Sequence, residues 1–469
     1  MIEKSTSLSV RQQPLTENEQ IAIALNPRKI GPLLEQLFRP EGKNAEGQNG
    51  AAGARTRPYD CYILDAKYEP GSYCTVLYQW GDHLVTGAFR WDSDESHSAE
   101  TTTTVPSLGM RVYRFPHDPA LPSLTKALDP QRVSVALAEA LPEFQAGALR
   151  ILRCDMKTLR FRPGRRCTVR IRVWLREIES GVIYKRVLYG KIYHDLEKAK
   201  RVYQQMLSLS SSLPAQKGQI VFATASSYLP DLAMVLQDPI EGVPLDGLIH
   251  SDTEACDARG LAGTLAAASA LAALHTSGVQ ISGKPRSISS ELARFKKRGA
   301  RIGQINPVLG NDIIKLADAL SAWLDTLEQW EATAGLVHGD CKPAQFLVKE
   351  DQVALLDFDH GGMADPAVDV GTFLATLQQL VVKQTVKNHG KPARSAAWMP
   401  DLKRQFLEAY GSASGFSSVF SHRAAWYEAV ALLRKAIRGF ERSPYSALPA
   451  ALVAESWKIL ETLPPPSQS

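Results

Sequence analysis

The sequence has no run approaching the roughly 20 apolar residues that span a bilayer. Its opening stretch, MIEKSTSLSVRQQ, has no apolar core of signal-peptide length. A soluble, cytoplasmic protein without a membrane partner is expected. Cysteine is sparse and scattered: Cys61, Cys74, Cys154, Cys167, Cys256 and Cys341 include no close CxxC pair. Neither a disulfide framework nor a zinc site is indicated, and a reducing compartment fits. Neither sign of charge is in large excess, with 54 Lys plus Arg against 49 Asp plus Glu, a net +5. So slight a surplus gives no reason to expect a nucleic-acid or lipid partner. Gly and Pro, at 32 and 28 residues, stand at ordinary globular levels, which removes the fibrous and largely disordered classes. At roughly 150 residues per domain, the length leaves room for about three compact units.

What is present changes character along the chain. The stretch from Pro40 to Pro58 is rich in Gly, Ala and Asn without hydrophobic period and reads as a flexible connection. Asp92 to Thr104 reads as an exposed polar loop, and the final PPPSQS as a disordered tail. Between Lys157 and Tyr193 the pattern is that of three antiparallel strands, turned at Pro163-Gly164 and at Glu179-Ser180-Gly181. In the middle strand Val169, Ile171, Val173 and Leu175 alternate with Arg170, Arg172 and Arg176, the period of a sheet with one wet face. QIVFA and AMVLQ supply two more strands, and the five suggest a small curled sheet. From Thr253 the sequence turns helical, with further helices at Asp312 to Trp330 and at Ala424 to Arg438, the last stopped by Gly439.

Chemistry is concentrated between Gly335 and Phe373. His338, Gly339, Asp340, Lys342 and Gln345 lie on one loop, and Asp357 and Asp359 follow a short apolar strand, VALL. A His-Gly-Asp tripeptide alone recurs by chance, as does Asp-Phe-Asp; in this order and with strand context the signal is strong. The arrangement resembles the aminoglycoside phosphotransferase, choline kinase and maltokinase branch of the protein-kinase-like superfamily, over roughly residues 155 to 445. The resemblance implies an α+β, bilobal protein-kinase-like fold, with a small antiparallel sheet lobe and a helical C-terminal lobe, and use of ATP and Mg2+. It makes Asp340 the catalytic base, Asp357 the main magnesium ligand, and Gln345 and Asp359 further metal contacts. Gln345 stands where Asn is most common, and its amide oxygen suits a hard cation equally. Lys342 looks like the lysine at the same spacing in protein kinases, placed to neutralise charge on the moving phosphoryl group. Asp365, Asp369, His338 and His275 read as structural: turn and helix-start acids, a loop brace and a packing residue.

By the same resemblance the sheet clamps ATP. Lys191 in YGKIY matches the lysine of the third strand; Gly164 and Arg165 of the Pro163-Gly164-Arg165-Arg166 turn lie where a phosphate-covering loop is expected. Gln237 and Asp238 fall on the segment that links the lobes and faces adenine. The helix glutamate that normally pairs with the lysine has only Glu197 as a counterpart, very close to Lys191 in sequence.

A repeat lies upstream. AKYEPGSYCTV, Ala66 to Val76, aligns with LRFRPGRRCTV, Leu159 to Val169, and Gly87 aligns with Gly190. At the lysine position the first copy has Ala88, and Ser72 and Tyr73 replace Arg165 and Arg166. The expected organisation is an N-terminal segment and linker (1–57), an accessory cap domain that is a degenerate copy of the small lobe (58–145), an ATP-binding small lobe (150–245), a helical catalytic and acceptor-binding lobe (246–462) and a tail (463–469).

From Leu380 onward 12 Lys plus Arg face 6 Asp plus Glu. Polycationic aminoglycosides favour an acidic pocket, so a neutral sugar or an anionic metabolite fits better as the acceptor. Trp398, Trp426 and Tyr427 are candidates to stack on a sugar or to pack a core. The reading is a phosphotransferase that moves the γ-phosphoryl group of ATP to a hydroxyl of a small molecule. The alternatives are a nucleotide-binding regulator without transfer activity, a protein kinase, and nucleic-acid binding by the arginine-rich sheet; no nucleic-acid partner is expected.

Overall fold

The structure, a computed structural model, describes residues 15–38, 60–92, 103–212, 220–250, 252–281, 287–329, 334–417 and 419–465. The expected linker at Pro40 to Pro58, most of the loop at Asp92 to Thr104 and the end of the tail lie outside the described residues. The chain divides into two compact units, Met1–Phe115 and Pro116–Ser469. The division therefore falls before the helical stretch at 116–145, which belongs with the larger unit and not with the cap domain expected over 58–145.

In the smaller unit, helices α1 (Glu17–Ala24) and α2 (Pro27–Phe38) accompany strands β1 (Cys61–Glu69), β2 (Tyr73–Trp80), β3 (His83–Arg90), β4 (Thr103–Val105) and β5 (Met110–Arg114). Thr16 caps α1 in a reciprocal pair with Glu19, which satisfies donors that a helix start leaves free. Tyr78 on β2 donates to the Ala24 carbonyl at 2.9 Å, and Tyr68 on β1 to Glu17 at 2.8 Å, so the first helix is tied to the sheet. The strand order is β1-β2-β3-β5-β4.

The larger unit opens with short helices α3 (Leu124–Ala127), α4 (Pro130–Ala140) and α5 (Pro142–Gln145), then strands β6 (Leu149–Arg162), β7 (Arg166–Glu177) and β8 (Ile183–Tyr193). Helix α6 (Leu196–Ser212) follows, then β9 (Ile220–Phe222), β10 (Ser227–Leu229), β11 (Met234–Gln237) and β12 (Val243–Pro244). The alternation in β7 is real: Val169, Ile171, Val173 and Leu175 are all buried while the intervening arginines are not. This second sheet has the order β6-β7-β8-β11-β10. The QIVFA strand does not join it. As β9 it pairs in parallel with β15, Val353 opposite Ile220, because that edge strand still has backbone groups to satisfy. Strand β10 takes the fifth place instead.

The two sheets repeat one another in register as well as order. Gly87 lies opposite Val76 and Val112, and Gly190 opposite Val169 and Leu236. Both glycines admit a methionine sulfur from the next strand: a Cβ would lie 2.6 Å from Met110 Sδ at Gly87 and 2.6 Å from Met234 Sδ at Gly190. Thr75 faces Ala88 as Thr168 faces Lys191, and Tyr73 faces Arg90 as Arg166 faces Tyr193. The same packing solution is thus used twice, once with the charged residues and once without.

The helical half comprises α7 (Ala258–His275), α8 (Ile288–Gly303), α9 (Pro307–Ser321) and α10 (Leu324–Gln329), strands β13 (Gly335–Val337), β14 (Phe346–Lys349), β15 (Gln352–Leu355) and β16 (Gly362–Ala364), and helices α11 (Ala367–Lys387), α12 (Met399–Ser414), α13 (Val419–Arg442) and α14 (Leu448–Glu461). Asp257 caps α7, accepting from the Arg259 amide at 2.7 Å. Gly439 does not stop α13, which runs on to Arg442. Trp426 and Tyr427 are core residues, 0% and 6% exposed, and are not available to stack on a ligand. No helix among the described residues is long and apolar enough to cross a membrane.

Helices α11 and α13 cross at Gly371, where a Cβ would come within 2.6 Å of the Glu428 backbone nitrogen and the Tyr427 carbonyl carbon. Backbone cannot retreat as a side-chain tip can, so Gly371→Ala is expected to force the helices apart. The urea midpoint should fall by an amount equivalent to about 1–3 kcal/mol; an unchanged midpoint would contradict this packing.

Candidate active site

Two short strands, β13 and β16, pair antiparallel and bracket the loop that carries the chemistry. His338 follows β13 and is fully buried. Its Nε2 lies 2.7 Å from the Leu356 carbonyl, which can only accept, so that nitrogen carries the proton. Its Nδ1 is left to accept from the Asp340 amide at 3.3 Å. The ring is therefore a neutral brace that fixes the backbone at Asp340 and ties it to the residue before Asp357.

A second tie is Asp369, fully buried in the first turn of α11. Its carboxylate accepts from the backbone amides of His338 and Gly339, the latter at 2.7 Å, and lies 3.2 Å from His275 Nε2. His275 in turn has its Nδ1 2.7 Å from the Tyr410 hydroxyl. The sequence reading gave Asp369 a role at the start of its own helix; its donors are on the His338-Gly339 loop instead. Burial alone would push the Asp369 carboxyl up, but the His275 bond and charge and the His338 amide hold it below its ordinary value.

On this braced loop Asp340 is partly exposed and bonded to Lys342 Nζ at 2.7 Å. Burial raises the Asp340 carboxyl, and Lys342, then His360 and Arg438, bring it below the usual range. Gln345 is buried beside Asp357, its amide nitrogen 3.3 Å from Oδ2. Asp357 itself adopts left-handed backbone, φ +67°, where the chain turns out of β15. A β-carbon there costs on the order of 1 kcal/mol relative to glycine, a strain accepted where the carboxylate is needed.

The sheet meets this loop through charge. Lys191 Nζ reaches Asp357 Oδ1 at 2.8 Å and Asp359 Oδ1 at 3.1 Å. Arg166 spans both acids, 3.3 Å from each oxygen of Asp357 and in close contact with Asp359. Tyr193 donates to Asp359 Oδ1 at 2.9 Å. Burial pushes the Asp357 carboxyl up, but Lys191 and Arg166 drive it far below the ordinary range; burial and Asp359 raise the Tyr193 phenol.

Lys191, Gln345, Asp357 and Asp359 thus converge, with Asp340 and Lys342 on the same loop as Gln345. Other expected residues are placed differently. Glu197 is exposed at the start of α6, and Lys191 has the two loop acids as its partners instead. The Arg165 side chain is exposed while Arg166 enters the site. Gly164, at φ +66°, has its amide bonded to Asp118 Oδ2 at 2.7 Å. Asp238 pairs with Arg186 of β8 at 3.2 Å, and the Gln237 amide lies 3.6 Å from Met206 Sδ of α6, so both side chains are engaged by the protein itself. Counting in twos would have found Arg166: Thr168 faces Lys191, so residues 166, 191 and 193 share a face and 165 is on the other.

Two carboxylates and one amide form a sparse, oxygen-rich set suited to a hard cation that keeps water and phosphate oxygens in its shell. Asp357, Asp359 and Gln345 would hold it. An antiparallel sheet presenting a lysine to a loop acid, beside a second acid on a braced loop, defines a kinase-type phosphotransferase. Residues 192–416, a little under half of the chain, match the model of the phosphotransferase enzyme family. The match falls within the larger unit and agrees with the branch that the motifs resemble. Solved structures similar to the chain include a choline kinase from Cryptosporidium parvum Iowa II, 9% identical with a TM-score of 0.47, covering 71% of this chain and 96% of that one. The choline kinase LicA from Streptococcus pneumoniae is 13% identical with a TM-score of 0.42, over 68% and 97%. The aminoglycoside phosphotransferase APH(2'')-Ib, bound to ADP, is 14% identical with a TM-score of 0.39, over 66% and 93%. No curated protein matches the chain.

Asp369→Asn keeps the shape of the loop brace and removes its charge. The folded state holds this carboxyl below its unfolded value, so its stabilisation is complete above the unfolded value of about 4 and is lost as pH falls through the folded value. Urea unfolding at neutral pH should find the variant weaker by about 3–5 kcal/mol. The gap should narrow on acidification below about pH 4; a gap independent of pH would contradict the assignment.

Proposed function

We propose that this protein is an ATP- and magnesium-dependent kinase of small-molecule hydroxyls. The observation that carries the reading is the 2.8 Å contact between Lys191 of the sheet and Asp357 of the loop, with Asp340 held by His338 on the adjoining strand of backbone. Phosphoryl transfer asks little covalent chemistry of a protein and much positioning and charge stabilisation. Asp340 accepts a hydrogen bond from the acceptor hydroxyl and orients its oxygen toward the γ-phosphorus. The new O–P bond forms as the bond to the β,γ-bridging oxygen breaks, ADP leaves, and the hydroxyl proton passes to Asp340. Lys191 and Arg166, freed from the acids they now neutralise, turn their charge to the phosphates. Asp357, Asp359 and Gln345 would hold a magnesium ion, which when bound would add to the neutralisation of the triphosphate.

ADP release measured across a panel of acceptors tests this reading. Asp340→Asn should lower turnover by at least about a hundredfold while ATP still binds. Tight ATP binding by the parent chain with no turnover on any acceptor would instead favour the nucleotide-binding regulator.

A further inference from the structure

The nucleotide side of the site has its cations in Arg166 and Lys191. A second group of cations approaches Asp340 from the helical side. Helix α13 carries Arg434, Lys435 and Arg438, and the spacing of Lys435 and Arg438 puts them one turn apart on one face. Gly371 lets α13 lie directly on α11, and α11 supplies the two neutral acceptors that aim Lys435: Thr376 Oγ1 at 2.9 Å and Gln379 Oε1 at 3.1 Å.

The three cations are not treated alike. Arg434 is neutralised by Glu291, at 2.6 and 3.1 Å. Lys435 and Arg438 have no carboxylate within ion-pair distance among the described residues. Of the other acids whose charge reaches Arg438, Glu441 is 2.7 Å from Arg298 and Glu291 is the partner of Arg434. The acid that both Lys435 and Arg438 sense is Asp340, which already has Lys342. Lys342 touches the Asp340 carboxylate at 2.7 Å, and the charges of Lys435 and Arg438 reach the same carboxylate and one another. Burial, then Lys342, pulls the Lys435 ammonium down to about 7. Arg438 remains exposed to solvent.

A largely buried ammonium that has only neutral partners and lies near other cations resists its own protonation unless an anion meets it. A cationic acceptor would meet repulsion here, and a neutral one would leave the pair unused. We propose that the acceptor is an anionic alcohol, a small molecule carrying a phosphate or carboxylate group, and that Lys435 and Arg438 hold that group while its hydroxyl faces Asp340. This rests on the kinase reading and names the acceptor class that the sequence left open between a sugar and an anion. The step balances as above: the acceptor oxygen gains the γ-phosphoryl group, ADP carries away the broken bond's electron pair, and the proton goes to Asp340.

The test is ADP release with matched acceptors: glycerol against glycerol 3-phosphate and glycerate, ribose against ribose 5-phosphate, and choline as a cation. The anionic member of each pair should be preferred by at least about tenfold in kcat/KM. The phosphate and carboxylate arms show which anion the pair takes. Lys435→Met preserves volume and Arg438→Gln alters an exposed residue; each should reduce the anionic-to-neutral preference about tenfold, chiefly through KM. Preference for choline or for the neutral alcohols, or an unchanged preference in both folded variants, would overturn the proposal. If the parent chain turns over no acceptor, the kinase reading fails by itself. Titration of inorganic phosphate then decides the anion site: binding weakened by Lys435→Met and Arg438→Gln supports it, and equal binding overturns it.

Discussion

Two largely buried cations and two acids hold the turn carrying Asp357 and Asp359 against the sheet, and the face of the site that the sheet presents depends on them. Asp359 is 2% exposed at its side chain, and Asp357, Lys191 and Arg166 are each under a fifth exposed. Charges so withdrawn from water are costly unless they are paired and hydrogen-bonded at nearly every position. Here they are: Asp359 is met by Arg166, Lys191 and Tyr193, and Asp357 by Arg166, Lys191 and Gln345. A gap at any of these would leave a buried charge exposed to its own desolvation cost. The cluster is consequently a poor choice for stability alone and a good one for a site whose cations must be ready to exchange carboxylate oxygens for phosphate oxygens.

The likeness of the two sheets shows how little of that cluster the fold itself requires. Strand order, register, the glycine beneath a methionine and the buried cysteine are all shared between the two similar sheets. Such features satisfy the backbone and fill the core, and they survive with Ala88 in place of Lys191 and Tyr73 in place of Arg166. The two Met-over-Gly contacts are packing; the Arg166, Lys191 and Tyr193 face is chemistry. A sheet of this design can lose the second and keep the first.

Much of this was legible in the sequence because the relevant distances are short along the chain. Asp340, Lys342 and Gln345 are neighbours on one loop, Asp357 and Asp359 follow one strand, and the period of two in β7 identifies its buried face. What escaped depends on tertiary pairing. Choosing Arg166 over Arg165 needed the register between β7 and β8. The role of Asp369 needed the approach of α11 to β13, and QIVFA looked like any strand until its parallel partner β15 was known. Lys435 and Arg438 fall at the end of the helix expected over Ala424 to Arg438, where basic residues commonly answer the helix dipole. Only the ion pair of Arg434, and its absence at the other two, separates a solvated face from a charged site.

That arrangement also bears on what Asp340 does. A carboxyl held below its ordinary value by Lys342 and Arg438 is ionised throughout the neutral range, and by the same token it is a weak base. It would serve badly in a reaction that must strip the hydroxyl proton before bond formation. In a loose transition state, where the γ-phosphoryl group has largely left ADP before the acceptor oxygen bonds to it, the proton becomes acidic late and a weak base suffices. Orientation then matters more than basicity. The neutral His338 ring, the two amides on Asp369 and the Lys342 contact all fix where the Asp340 carboxylate points. The cations around Asp340 lower its basicity, which such a transition state scarcely uses, while creating a field that selects which hydroxyl arrives.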